Sequence, residues 1–356
     1  MFDQSVHDTI KRKNKIFAVT VSALALVFTV LRMILTRFSI DPYIHFYIDA
    51  SNIFALSVDY IIAACVVIIY FISVFIYKHK RESHKYTEIS DCFVQGTQAQ
   101  VFSASLTGFL FGFSSAFQAY AFMITPSEPV GLTFAERVFA YMTSFPFDFA
   151  LFFISGLSAV YFFKTAALNF DIGENIEQYK KIEQSENEKN LLGHALETAV
   201  KTAQMLQPAY MSADDNTQGK KPEGRQKFSS AHIIFSFMPI VWAFLHVFRC
   251  FFDMSKSVNS PVRIYELMSF LALSAYFVAE SRMLVERREV SRFFTYSYIA
   301  VMLTAVSSLP NLIWSSFWML QTNNAQIIYA AEISLVIYIM SRVYSQIRYG
   351  RFLLQR

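Results

Sequence analysis

The chain has 356 residues, of which 54% are hydrophobic, 17% aromatic and only 16% charged. A water-soluble domain usually carries about 25% charged residues, so the composition argues against an ordinary soluble enzyme and points to a protein embedded in a bilayer. The net charge of +4 is small and has a topological explanation given below, so no nucleic-acid surface is read from it.

The N-terminus opens with polar residues, then the basic cluster Lys11, Arg12, Lys13 and Lys15, then a long apolar run. No small-residue cleavage site follows that run, which is therefore read as a retained helix rather than a signal peptide. A spanning helix needs about 20 mostly apolar residues. Such runs fall near 16–36, 54–77, 101–124, 138–163, 231–252, 264–284, 294–318 and 326–345. The expected fold is an all-α, polytopic membrane bundle of about eight transmembrane helices. Its domains are an N-terminal membrane half (1–165), a cytoplasmic connector (166–230) and a C-terminal membrane half (231–356).

The basic residues orient these spans. With a cytoplasmic N-terminus and alternating helices, the segments 1–15, 78–100, 164–230, 282–292 and 342–356 lie inside and hold 25 of the 31 Lys and Arg residues. Only Arg32, Arg37, Arg137, Arg249, Lys256 and Arg263 lie at or near the outer side. Positive-inside bias places both termini in the cytoplasm of a cell-membrane protein with short outer loops.

The connector begins with residues 169–206, rich in Glu, Lys, Gln and Ala, which are good helix formers. Ile172, Ile176, Tyr179 and Ile182 follow three-to-four spacing, and Leu192, Leu196, Ala199 and Ala203 resume it. This predicts amphipathic cytoplasmic helices that continue the fourth membrane helix. They serve either as a joint between the halves or as a docking site for a cytoplasmic protein. Residues 207–230 lack apolar periodicity and read as a flexible tether.

The two halves resemble each other in their polar punctuation. An arginine follows the first apolar run of each (Arg32, Arg249), an acid beside a tyrosine opens the second (Asp59, Glu266), and another acid opens the fourth (Asp148, Glu332). The same order in both halves suggests two parallel repeats.

Charged residues within a bilayer cost about 2.5–3.5 kcal/mol at the helix centre and need a partner, an aqueous site or an interface. The candidate ligand-binding set is therefore Asp148, Glu332, Asp59, Glu266, Arg32 and Arg249. Pseudo-symmetry predicts the ion pairs Arg32–Asp59 and Arg249–Glu266. It also predicts that Asp148 and Glu332 face each other between the halves, where they would take a cation, a proton or an amine. Glu280 is expected to pair with Arg342 as an inner clamp. His232 and His246 are too far apart along one helix to share a metal. Gly108 and Gly112 form a GxxxG spacing that permits close helix approach. Pro146, Pro239 and Pro310 are expected to kink their spans. Trp242, Trp314 and Trp318 are expected to sit as interfacial anchors.

No P-loop, HExxH, GxSxG or CxxC motif is present, and Cys65, Cys92 and Cys250 stand alone. No catalytic residue, cofactor or metal is predicted. The preferred expectation is a carrier-like or ligand-binding membrane protein for a small molecule or ion. The alternative is a non-transporting sensor, assembly or scaffold subunit.

Overall fold

The computed structural model describes residues 4–41, 47–49, 53–78, 97–124, 146–189, 230–252, 260–284, 290–318 and 323–349. Among them the chain forms helices and no β-strand. The helices are α1 (Gln4–Phe38), α2 (Ile53–Lys78), α3 (Gln98–Ile124), α4 (Pro146–Lys189), α5 (Ser230–Ser236), α6 (Met238–Phe252), α7 (Pro261–Leu284), α8 (Val290–Trp318) and α9 (Asn323–Tyr349). The all-α membrane-type bundle is as expected.

Seven segments are long and apolar enough to cross a membrane, with α5 and α6 together making one of them. The exception among the eight expected spans is α3, which is long enough at 27 residues. Its Gln, Ser, Thr and Gly residues dilute an otherwise uncharged helix, so length and position rather than hydropathy place it in the bundle.

Helix length follows from local chemistry. The 35 residues of α1 extend to about 52 Å at 1.5 Å per residue, more than the roughly 30 Å of a hydrocarbon core. Its first turns are therefore a lead that precedes the membrane-length part, which begins at Arg12. The 44 residues of α4 make about 66 Å, and its membrane-length part ends at Phe170. The fourth span thus continues into the connector as one helix to Lys189. The later connector helix and the tether over 190–229 lie outside the described residues, as do most of the outer loops.

The prolines act differently from one another. Pro146 does not kink a span but is the first residue of α4, where its missing N–H is an orphan donor in any case. Pro239 follows a break at Phe237, whose amide reaches back to the Ile234 carbonyl at 3.2 Å in a tighter turn. Pro310 is carried inside α8.

Packing does not follow the two halves. α8 touches α7, α9, α1 and α2, while α3 lies between α4 and α9, and α4 also meets α6. The core is one cluster that runs from Val21 in α1 through Phe111 and Phe162 to Tyr276, Tyr298 and Tyr338 in the C-terminal helices. The N-terminal helices thus wrap a C-terminal centre. α2 is the least buried span and α7 the most. Exposed Phe71, Phe75 and Ile61 on α2 present the apolar surface expected to face lipid.

Close approach is made by small residues. The GxxxG helix α3 packs on α4, where Gly112 meets Ala159, Gly108 meets the Phe163 ring, and Gly156 meets Ser115. Ser115 donates to the Phe152 carbonyl at 2.8 Å. α3 is also stitched to α9 by Thr97–Ser345 at 3.1 Å, Ser103–Ser341 at 2.6 Å and Thr107 to the Ser334 carbonyl at 3.2 Å. Between membrane helices each such bond contributes about 0.6 kcal/mol on average. Trp242 is no interfacial anchor: it is fully buried against Phe111, His246 and Phe270. Trp314 does bind across helices, donating to the Met33 carbonyl at 2.8 Å beside Arg37.

Candidate functional site

Four polar clusters sit within this apolar framework. The first is where the C-terminal end of α1 meets the start of α2. Arg32 Nη1 lies 2.9 Å from Asp59 Oδ1, as the sequence predicts. The expected pair is joined by two tyrosines. An isolated bridge between Ile40 and Tyr47 folds the chain back over the end of α1 and brings the Tyr47 hydroxyl onto Asp59 Oδ2 and within 3.2 Å of Arg32. Tyr265 of α7 donates to Asp59 Oδ1 at 2.9 Å, and the Arg32 guanidinium lies 4.3 Å above its ring. Burial pushes the Tyr47 phenol up to about 12; the charge of Arg32 opposes the shift and the bond to Asp59 reinforces it. Arg32 itself is almost wholly buried.

The second cluster corrects two expectations. Arg249 pairs with Asp148 at 3.3 Å, not with Glu266. Asp148 therefore has Arg249 as its charged partner, where pseudo-symmetry had set it facing Glu332. The reason is helix polarity. Asp148 is in the first turn of α4 and Arg249 in the last turn of α6. Carboxylate and guanidinium each suit the end of the macrodipole they occupy, and α4 packs on α6. Both side chains keep partial exposure, 26% and 33%, as suits an interfacial clasp.

The third cluster holds the remaining two acids. Glu266 and Glu332 are 5% and 0% exposed. Three helices present polar residues at helical spacing here: Glu266 and Ser269 on α7, Thr304, Ser308 and Asn311 on α8, and Tyr329 and Glu332 on α9. Tyr329 donates to Glu266 Oε1, and the Asn311 amide approaches the same oxygen at 3.4 Å. Ser308 donates to Glu332 Oε2, and Ser269 Oγ lies 3.2 Å from that oxygen and 3.1 Å from Thr304 Oγ1. Tyr329 lies in the field of both carboxylates. Glu266 and Glu332 are thus rungs of one ladder between α7 and α9. The acid-beside-tyrosine pattern that suggested a repeat is divided here: Tyr265 turns to Asp59, and Glu266 turns to Tyr329.

The fourth cluster lies toward the C-terminal ends of α7 and α9. Glu280 and Arg342, each 1% exposed, lie 3.4 Å apart, the clamp read from sequence. Tyr338 donates to Glu280 Oε1 at 2.8 Å. The hydroxyls of Tyr161 on α4 and Tyr276 on α7 reach the same carboxylate's surroundings. His232 packs against Tyr161 at 5.3 Å, and His246 stacks on Phe270 at 4.6 Å. Among the described residues no group of His, Cys, Asp and Glu is arranged to hold a metal.

Sequence reasoning found the acids and missed Ser269, Thr304, Ser308, Asn311 and Tyr329, with Tyr47 of the first cluster and Tyr161, Tyr276 and Tyr338 of the fourth. The signal was present as three-and-four-spaced polar residues inside apolar runs, which is the pattern of a buried polar stripe.

Fold and site together define a multi-pass helical membrane protein with charged groups layered through its interior. Comparison with protein-family models, with curated proteins and with solved structures returned no match.

Proposed function

We propose that this protein binds a small cationic species, a proton, alkali ion or amine, at the Glu266–Glu332 ladder, and acts as a carrier. The observation that supports it is the burial of two carboxylates among α7, α8 and α9, Glu266 held by Tyr329 and Asn311 and Glu332 by Ser308 and Ser269. Two like charges brought together away from water favour uptake of positive charge. The hydroxyl and amide groups around them satisfy carboxylate oxygens while remaining neutral. Asp148 and Arg249 then serve as an outer clasp rather than as ligands, and Arg32–Asp59 fastens α1 and α2 to α7. In this reading the termini and the α4 extension lie in the cytoplasm.

Thermal stability of the purified protein in detergent tests the proposal, using a pH series, Na⁺, K⁺ and primary amines. A ligand at 100 times its Kd adds about 2.7 kcal/mol. Stabilisation by one of these is expected in the wild type and not in Glu266→Gln with Glu332→Gln. If the double variant responds as the wild type does, the acids are structural.

One observation favours a second reading, a sensor or scaffold subunit. α4 runs some 19 residues past its membrane-length part, about 28 Å at the helical rise, and offers a lever to a cytoplasmic protein at 169–206.

A further inference from the structure

The buried face of α7 reads Glu266, Ser269, Leu273, Tyr276, Glu280, at steps of three and four, and every member is 5% exposed or less. The facing stripe of α9 reads Tyr329, Glu332, Leu335, Tyr338, Arg342, also 4% exposed or less throughout. The two stripes run in parallel register. Glu266 meets Tyr329, Ser269 meets Glu332, and Glu280 meets Tyr338 and Arg342. On α8, Val301 precedes the Thr304–Ser308–Asn311 face by one turn. The third and fourth clusters are therefore two levels of one polar column. The stripes carry a single apolar level between them, Leu273, Leu335 and Val301.

The levels are placed to serve opposite sides. Glu266 lies about 8 Å from the start of α7, Glu280 about 6 Å from its end, and the two are about 21 Å apart along the axis at 1.5 Å per residue. The inner level also carries unfinished hydrogen bonding. Glu280 Oε2 and the hydroxyls of Tyr161 and Tyr276 are buried within reach of one another but not in well-formed hydrogen-bond geometry. Three such groups around one point are the usual lining of an ordered water.

We propose that Glu280 is the inner station of a proton path whose outer station is the Glu266–Glu332 ladder, closed in this state by the Leu273–Leu335–Val301 level. The inference rests on the cation-site reading above and narrows its ligand to the proton. Arg342 decides the narrowing. Its guanidinium, 3.4 Å from Glu280 in a fully buried site, fills the place that a metal ion or ammonium and its ligands would need, whereas a proton needs no ligand shell and bonds to the carboxylate directly, at the cost of weakening that ion pair. In the step itself a proton leaves the outer carboxyl, crosses on water when the apolar level parts, and binds Glu280. No bond between heavy atoms changes. The groups facing Glu280 are Arg342 and Tyr338 from α9, Tyr161 from α4 and Tyr276 from α7; His232 of α5 lies within electrostatic reach of Arg342 and of Lys164 of α4. Tyr329 and, from α6, Cys250 face the outer station.

The full chain reconstituted in phosphatidylcholine–phosphatidylglycerol vesicles tests this. A potassium gradient with valinomycin drives protons, and an entrapped pH dye reports them. Flux above protein-free vesicles is expected. It should fall to the protein-free level in Glu280→Gln and rise several-fold in Leu273→Ser, which leaves every charge in place and is read on protein that stays monodisperse. Wild-type flux at the background level, or flux indifferent to Leu273→Ser, overturns the path. The pH-dependent infrared band of a buried carboxyl group, compared with Glu332→Gln, separates the two failures. If the band is present without flux, the outer site stands and the path is wrong. If the band is absent, the cation-site reading falls with it.

Discussion

Each charged side chain here is handled by local chemistry suited to its depth. Arg32 is deep enough to need full neutralisation, and it has Asp59, Tyr47 and the Tyr265 ring face. Removing one partner of a buried ion pair typically costs about 3–5 kcal/mol, so these clusters fix helix positions as well as charge. Tyr47 makes this measurable. Its phenol titrates near 12 in the fold against 10.0 unperturbed, so the folded state holds the proton more tightly. The resulting stability is complete below pH 10 and is lost as pH rises through about 12. Relative to Tyr47→Phe, the wild type is expected to be more stable by about 1 kcal/mol below pH 10, from the bond to Asp59. The difference should shrink as pH rises through the Tyr47 titration. Chemical denaturation of both proteins across that range checks it. A constant difference would show that Tyr47 does not engage Asp59.

Among the elements, α3 and α4 show how small residues set helix approach. A side chain at Gly108 would begin 3.2 Å from the Phe163 ring and one at Gly156 would begin 3.2 Å from Ser115 Oγ, whereas one at Gly112 meets Ala159 at an ordinary 3.8 Å. Over-packing a tight site costs about 1–3 kcal/mol. Gly108→Ile and Gly156→Ile are expected to lower thermal stability by that amount. Gly112→Ala should stay within about 1 kcal/mol of wild type, because the gain in helix propensity offsets any crowding. A melting series in detergent decides the matter, and no loss at Gly108 and Gly156 would mean that the seam is loose. The hydroxyl pairs between α3 and α9 complete this element's role. They let a helix with Gln, Ser and Thr along its length sit within the bundle, because Thr97, Ser103 and Thr107 are bonded to a neighbour rather than offered to lipid.

For the whole molecule, the consequence is cooperativity across the sequence midpoint. α1 and α2 pack on α8, α3 on α9 and α4 on α6, so of the helices in residues 1–189 only the α3–α4 pair keeps its main partner within its own part of the chain. A split within 190–229 tests this. The two fragments are expected to co-purify when co-expressed, and the N-terminal one to aggregate when made alone. Independent folding of both fragments would instead support two self-contained membrane halves.

The sequence by itself determined the class of fold, because a run of about 20 apolar residues has few alternatives to a membrane helix. Depth was legible too: Arg32–Asp59 and Glu280–Arg342 were paired from position along their helices alone. Partner choice around Arg249 was not. Position in the chain suggested Glu266, but the packing of α4 on α6 set Asp148 beside it. The serines, threonine and asparagine of the Glu266–Glu332 ladder were likewise invisible as a group. Each is a minor dilution of an apolar run, and only the register of α7, α8 and α9 turns the stripes toward one another. Tertiary structure alone decided that the halves share one core, since hydropathy along a helix records how apolar it is and not which neighbour it meets.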